Sequence, residues 1–215
     1  MQVFEWAKDK ILMGAERKSA VITPKTARCT ACHEAGHALV GVLTDGANPI
    51  HKATIMPRGQ SLGMVTQLPE GDQTSQSYKQ MLAWMDVCMG GRIAEELIFG
   101  AENVTSGASS DIQQATRMAR GLVTKYGFSD ELGIVYYGGD VGQQDASAKT
   151  RSIIDDEVKR LTSEAYERAR VSMNMNWQEY FVLTGCFNKL SLNQTVELTH
   201  CIFLYAILCI TFSFL

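Results

Sequence analysis

Apolar residues recur at helical spacing along most of this chain, and only one short stretch reads otherwise. A first amphipathic helix is expected over residues 3–13. A second, over 24–44, carries Ala27, Ala31, Ala38, Leu39, Val40, Val42 and Leu43, a content that suits a largely buried helix. Thr23 can cap it, Pro24 fits its first turn, and Gly46 lies where it should end. Residues 50–56 and 63–68 read as two short strands around the turn-rich Pro57-Arg58-Gly59-Gln60. Helices follow over 77–99, 109–126 and 148–170. The expected fold is therefore mainly α with a small β-hairpin or sheet.

Composition narrows the class. With 215 residues, 46% hydrophobic and 20% charged, the chain can bury the core of one well-packed domain. A net charge of -3 gives no electrostatic case for a nucleic-acid partner. Six cysteines at irregular spacing read as reduced thiols rather than a disulfide framework. The Gly-rich stretch 138–144 lacks the pattern of a phosphate loop and reads as a flexible connection.

The second helix holds the candidate chemistry, His33-Glu34-Ala35-Gly36-His37. Residues four apart share a helix face, so His33 and His37 can aim both imidazoles at one metal ion while Glu34 reaches a water on it. Zinc lowers the pKa of bound water to about 7, and a nearby carboxylate can take the proton as that water attacks a carbonyl. The pattern predicts a zincin-like helical peptidase domain built around this H-E-x-x-H helix. A pair of core histidines satisfied by hydrogen bonds is the plainer alternative. Cys29-Thr30-Ala31-Cys32-His33 also spells C-x-x-C-H, the attachment signature of a c-type haem electron carrier. That chemistry needs neither Glu34 nor His37, and it needs an oxidising export compartment for which the chain shows no signal peptide. A zinc finger from Cys29, Cys32, His33 and His37 fails on geometry, because Cys29 and His37 lie about 12 Å apart along a helix axis.

Catalytic zinc takes three protein ligands and leaves one position open. The metzincin pattern would need Gly at 40 and His at 43, where the chain has Val40 and Leu43. No acid occurs between Asp45 and Glu70, so a donor from the next segment is excluded as well. Two candidates remain: Glu95, within Gly90-Gly91-Arg92-Ile93-Ala94-Glu95-Glu96-Leu97, and Asp111, at the end of Ser106-Gly107-Ala108-Ser109-Ser110-Asp111. Asp111 falls in the first turn of a helix that Ser109 or Ser110 would cap. Glu95 or Glu96 could instead orient a ligand from behind. Spacing leaves the choice open.

Several segments together resemble a known family. Met13-Gly14-Ala15-Glu16-Arg17-Lys18, the His33 to His37 motif, His51-Lys52-Ala53-Thr54-Ile55-Met56-Pro57-Arg58-Gly59, Gly90-Gly91-Arg92 with Ala94-Glu95-Glu96, and Thr105-Ser106-Gly107-Ala108-Ser109-Ser110-Asp111 look like the peptidase domain of the FtsH-type, membrane-anchored, ATP-dependent zinc metalloproteases. The likeness is nearest to the mitochondrial i-AAA branch and runs from about residue 2 to about 170. It implies that His33, His37 and Asp111 hold Zn2+, that Glu34 is the catalytic base, and that Glu95 stands behind them or serves as the alternative ligand. It also implies unfolded polypeptide or membrane-protein substrates, an AAA ATPase module, a homo-hexamer, and an organellar membrane, the mitochondrial inner membrane first and the chloroplast second. A catalytically inactive assembly subunit of such a protease is the rival within the family. Two positions depart from its pattern: Cys32, where an aromatic is usual, and Trp84, where a polar residue is usual. Both bear on packing around the site rather than on metal binding.

The chain carries no G-x-x-x-x-G-K-[ST] loop, membrane anchor or transit sequence, and reads as a fragment or truncated product of that family. Two regions are expected: a peptidase domain over 1–170 and a divergent hydrophobic tail over 171–215, derived from read-through or splicing. The uncharged run from Cys201 to Leu215 is fifteen residues, short of the roughly 20 that span a bilayer, although a hydrophobic anchor is its other reading. His51 and His200 have no partner at ligand spacing and read as structural.

Overall fold

The computed structural model describes residues 2–17, 19–59, 61–69, 71–138 and 146–189. Among these residues, six α-helices and one two-stranded sheet follow in the order α1 (Gln2–Met13), α2 (Pro24–Leu43), β1 (Ile50–Thr54), β2 (Met64–Gln67), α3 (Tyr78–Phe99), α4 (Ser109–Thr124), α5 (Ala148–Met175) and α6 (Trp177–Lys189). The fold is mostly helical with a small antiparallel sheet, as the periodicity predicts. Among the described residues no helix is long and apolar enough to cross a membrane.

Local chemistry sets the helix starts. The Thr23 hydroxyl accepts from Thr26 N–H at 3.1 Å and Pro24 opens α2, so that end is closed by its own sequence. Ser77 and Gln80 form a reciprocal capping box at the start of α3. The cap expected before Asp111 is different. A short 3-10 turn, Ser106–Ala108, runs straight into α4, so Ser109 and Ser110 already lie inside the first turn and cap nothing; Ala108 takes the cap position. Thr105 closes the preceding turn by accepting from Gly107 N–H at 3.1 Å.

Helices α2 and α3 pack most closely, with α5 behind α3, α4 across α3 and α5, and α6 returning onto α2. The α2–α3 contact brings backbone against backbone. A Cβ at Gly36 would lie 2.6 Å from Ala94 Cβ, and one at Gly90 would lie 2.6 Å from the Gly36 carbonyl oxygen. Only glycine at both places lets the helices approach this far, which is what carries α3 up to the histidines. Asp86, buried on α3, accepts a two-pronged ion pair from Arg168 of α5 at 2.8–3.2 Å.

Helix α5 passes through residue 170. The buried stripe Ile154, Val158, Leu161, Ala165, Ala169 continues at helical spacing to Met173, so α5 runs on to Met175. Then α6 buries Tyr180 and Leu183 in the same core, and the Tyr180 hydroxyl donates to the Cys32 carbonyl at 3.1 Å. The expected tail beyond 170 thus begins as part of the packed domain. Residues 190–215, including His200 and the uncharged run, lie outside the described residues.

Candidate metal centre

Three donor atoms from two helices meet at the floor of an open groove. The Nε2 atoms of His33 and His37 are 3.1 Å apart, and Asp111 Oδ2 lies 3.3 Å from the first and 3.5 Å from the second. Helix α2 puts both rings on one face, as i,i+4 spacing requires. Asp111 comes from the first turn of α4, where the 3-10 turn directs the helix start at the groove.

The opposite edge of each ring is held. His37 Nδ1–H donates to the Val87 carbonyl at 2.7 Å, and His33 Nδ1–H donates to Glu95 Oε1 at 2.8 Å. Glu95 is itself fixed, its Oε2 accepting from Thr105 N–H at 2.7 Å. A carbonyl can only accept, so the proton of neutral His37 sits on Nδ1 and its Nε2 lone pair faces inward. With His33 neutral and oriented the same way, two ring lone pairs and a carboxylate converge on one point. Such a cluster draws in a cation, either a proton on a ring nitrogen or a metal ion. Tetrahedral zinc with bonds of about 2.0–2.2 Å would set its ligand atoms about 3.3–3.6 Å apart, close to the spacings here.

Electrostatics point the same way. Burial opposes a charge on His33, but its hydrogen bonds to Asp111 and Glu95 outweigh that and raise its pKa to about 10. Burial alone would raise Asp111; the bonds from His33 and His37 prevail and hold its carboxyl below the usual range. Glu95 is lowered as well, its contacts with His33 and Thr105 overcoming burial. A proton or a metal ion meets the same demand of these carboxylates for positive charge. Glu34 behaves oppositely: it is 6% exposed, and burial raises its pKa against the pull of His37 and His33.

The groove is about 1540 Å³, above the roughly 300–1,000 Å³ of small-molecule pockets. It is lined by Met64, Val65 and Gln67 of β2, by His33, Glu34 and His37 of α2, and by residues of the turn and helix start that lead to Asp111. Trp84 and Cys88 of α3 also line it, and burial pushes the Cys88 thiol up to about 12.

His33, His37 and Asp111 are thus brought together as one group that could hold a metal ion, with Glu95 one bond behind. Glu96 is not part of it, because it accepts from Arg92 at 2.6 Å and from the Tyr166 hydroxyl on the other side of α3. His51 sits in β1 and takes no part. The haem reading is not favoured, since both nitrogens of His33 already face the carboxylates and His37. Sequence reasoning missed the working part of Gly91. A Cβ there would fall 2.5 Å from His33 Nε2 and 2.6 Å from His37 Nε2, so this position makes room for the rings. The legible signal was a Gly-Gly pair in mid-helix, which weakens a helix unless something packs there.

The fold and this site define a metalloprotease domain. The family model for Peptidase family M41 matches residues 20–189, and the chain belongs to that family. It is 51% identical over 180 residues to the ATP-dependent zinc metalloprotease FtsH of Caulobacter vibrioides, covering 79% of this chain and 29% of that protein. It is 53% identical over 181 residues to the chloroplastic/mitochondrial ATP-dependent zinc metalloprotease FTSH 11 of Arabidopsis thaliana, covering 84% of this chain and 22% of that protein. It is 52% identical over 170 residues to the mitochondrial inner membrane i-AAA protease supercomplex subunit YME1 of Saccharomyces cerevisiae, covering 79% of this chain and 22% of the relative. The chain therefore spans between 22% and 29% of the length of these curated relatives.

Proposed function

We propose that the chain is the proteolytic part of a zinc-dependent endopeptidase, with His33, His37 and Asp111 as the ligands and Glu34 as the proton acceptor. The observation that carries this is the convergence of three acceptor atoms, 3.1–3.5 Å apart, with both rings braced from behind. Zinc held there supplies a Lewis acid for the scissile carbonyl and acidifies water.

The protein residues perform the rest. Glu34, desolvated and raised in pKa, takes a proton from the attacking water and returns it to the leaving amine. Glu95 keeps the His33 ring turned and its Nδ1 protonated, so it acts behind the ligands rather than among them. An extended polypeptide fits the groove along β2, which has β1 on one side and no strand on the other among the described residues. Charge introduced on that side, as in Met64→Glu, is expected to raise KM for a peptide; an unchanged KM would remove this part of the reading.

The wider proposal is an ATP-dependent protease at an organellar membrane, a reading supported by relatives named as ATP-dependent zinc metalloproteases, as chloroplastic/mitochondrial and as a mitochondrial inner membrane i-AAA protease subunit. The family resemblance adds to the proposal an AAA module that supplies unfolded or membrane-protein substrates, and a hexamer. The test of the core reading is peptide cleavage by the zinc-loaded chain. Glu34→Gln should lower kcat by about 10²–10⁴-fold with zinc content unchanged, the range expected for loss of a proton-transfer group. Wild-type turnover in that variant would assign the proton to another residue.

A further inference from the structure

Gly63 seats the carboxylate arm of Glu34. A Cβ there would lie 2.7 Å from Glu34 Cγ, from Glu34 Oε1 and from Thr30 Cγ2, so that side chain occupies the space any residue but glycine would need at 63. The segment leading to Gly63 is tied back step by step. Ser61 Oγ donates to the Gly63 carbonyl. Arg58 and Ser61 exchange backbone hydrogen bonds at 2.9 and 3.0 Å. Arg58 then reaches residues 14–17, which precede the matched family region. Arg17 N–H donates to Pro57 O at 2.8 Å and Gly59 N–H to Ala15 O at 3.3 Å. The guanidinium completes the tie, with Nη1 donating to Gly14 O at 3.0 Å and Nη2 to Glu16 Oε1 at 3.2 Å.

Arg58 is 5% exposed, an unusual place for a guanidinium. The Arg58–Ser61 turn closes through backbone alone, so the buried side chain is not needed to form it; what it adds is a second attachment to residues 14–17, beside the two backbone hydrogen bonds. We propose that Arg58 is a positioning residue for Glu34, transmitting the placement of residues 14–17 through the 57–63 loop to the seat of the proton acceptor. This rests on the reading of Glu34 given above. A displacement of residues 14–17 would move Gly63 and with it the carboxylate, leaving the three metal-facing groups on α2 and α4 in place. The planar fork spans a carbonyl and a carboxylate together, and a lysine ammonium reproduces it only in part.

The experiment measures kcat and KM for peptide cleavage by the zinc-loaded full chain in wild type, Arg58→Lys, Arg58→Ala, Glu16→Ala and Glu34→Gln. Zinc content and amide hydrogen exchange are read on the same samples. Misplacement of a reacting group by about 1 Å costs on the order of 10²-fold, so Arg58→Ala should lower kcat about 10–100-fold. Its KM should stay within about threefold, its zinc should be retained, and exchange should quicken at residues 61–65 but not in α3. Arg58→Lys should fall between. A zinc-loaded Arg58→Ala with kcat within about twofold of wild type, or a loss confined to KM, would overturn the proposal. Should Arg58→Ala fail to fold or to bind zinc, Glu16→Ala decides: a kcat lowered by about threefold or more supports the tie, and an unchanged kcat overturns it. Failure of the underlying reading is separate, since it would show as undiminished turnover in Glu34→Gln.

Discussion

Each imidazole at this centre is braced at Nδ1 and faces Asp111 with Nε2, and that division decides what the site can bind. Val87 O and Glu95 Oε1 take the Nδ1 protons, leaving Nε2 for a cation shared with Asp111. Gly91 is the least conspicuous requirement, because any side chain there would occupy the space of both Nε2 atoms. Gly91→Ala is expected to fold, since alanine favours a helix, but to lose most of its zinc. Metal analysis of the purified variant checks this, and wild-type zinc content would contradict it. At this scale the two histidines and Glu34 were legible, because i,i+4 spacing on a helix is local. The choice between Asp111 and Glu95 was not, because it depends on where the 3-10 turn after α3 aims the start of α4. No periodicity records that direction.

Among the elements, α2 is the one against which β1, β2, α3 and α6 are all arranged. The Gly36–Gly90 crossing fixes how near α3 comes, and a methyl group at either glycine meets backbone rather than a movable side chain. Gly90→Ala should therefore destabilise the domain by about 1–3 kcal/mol, as overpacking does, despite better helix propensity. Thermal unfolding measures it; an unchanged or raised Tm would show that the helices can part without loss. On the other face, the Tyr180 hydroxyl gives the Cys32 carbonyl a second donor besides its helical one, one residue before His33. Tyr180→Phe should cost about 0.5–1.5 kcal/mol in chemical denaturation, and no measurable change would mean that the helical bond alone suffices for that carbonyl. The elements themselves were largely legible, with ends within a few residues of those expected. The exception was the C-terminal side, where Ser172-Met173-Asn174-Met175-Asn176 looks like a change of composition, yet Met173 completes the buried stripe of α5 and α6 adds Tyr180. Polar residues between apolar positions hid a helix whose inner face is ordinary.

For the molecule as a whole, the fold amounts to a scaffold that holds one α2 face open to a groove while α3, α4 and the small sheet wall it in. The wider machine proposed for it, with an AAA module and a membrane, belongs to relatives of which this chain spans less than a third. What the proposed function requires of the chain itself is zinc at His33, His37 and Asp111, and metal content measures that directly. Wild type, Asp111→Ala and Glu95→Ala purified together should give about one zinc per chain in wild type, loss in Asp111→Ala, and a zinc retained but weakened about 10–100-fold in Glu95→Ala. Zinc kept in Asp111→Ala and lost in Glu95→Ala would contradict the account and exchange the two residues' parts.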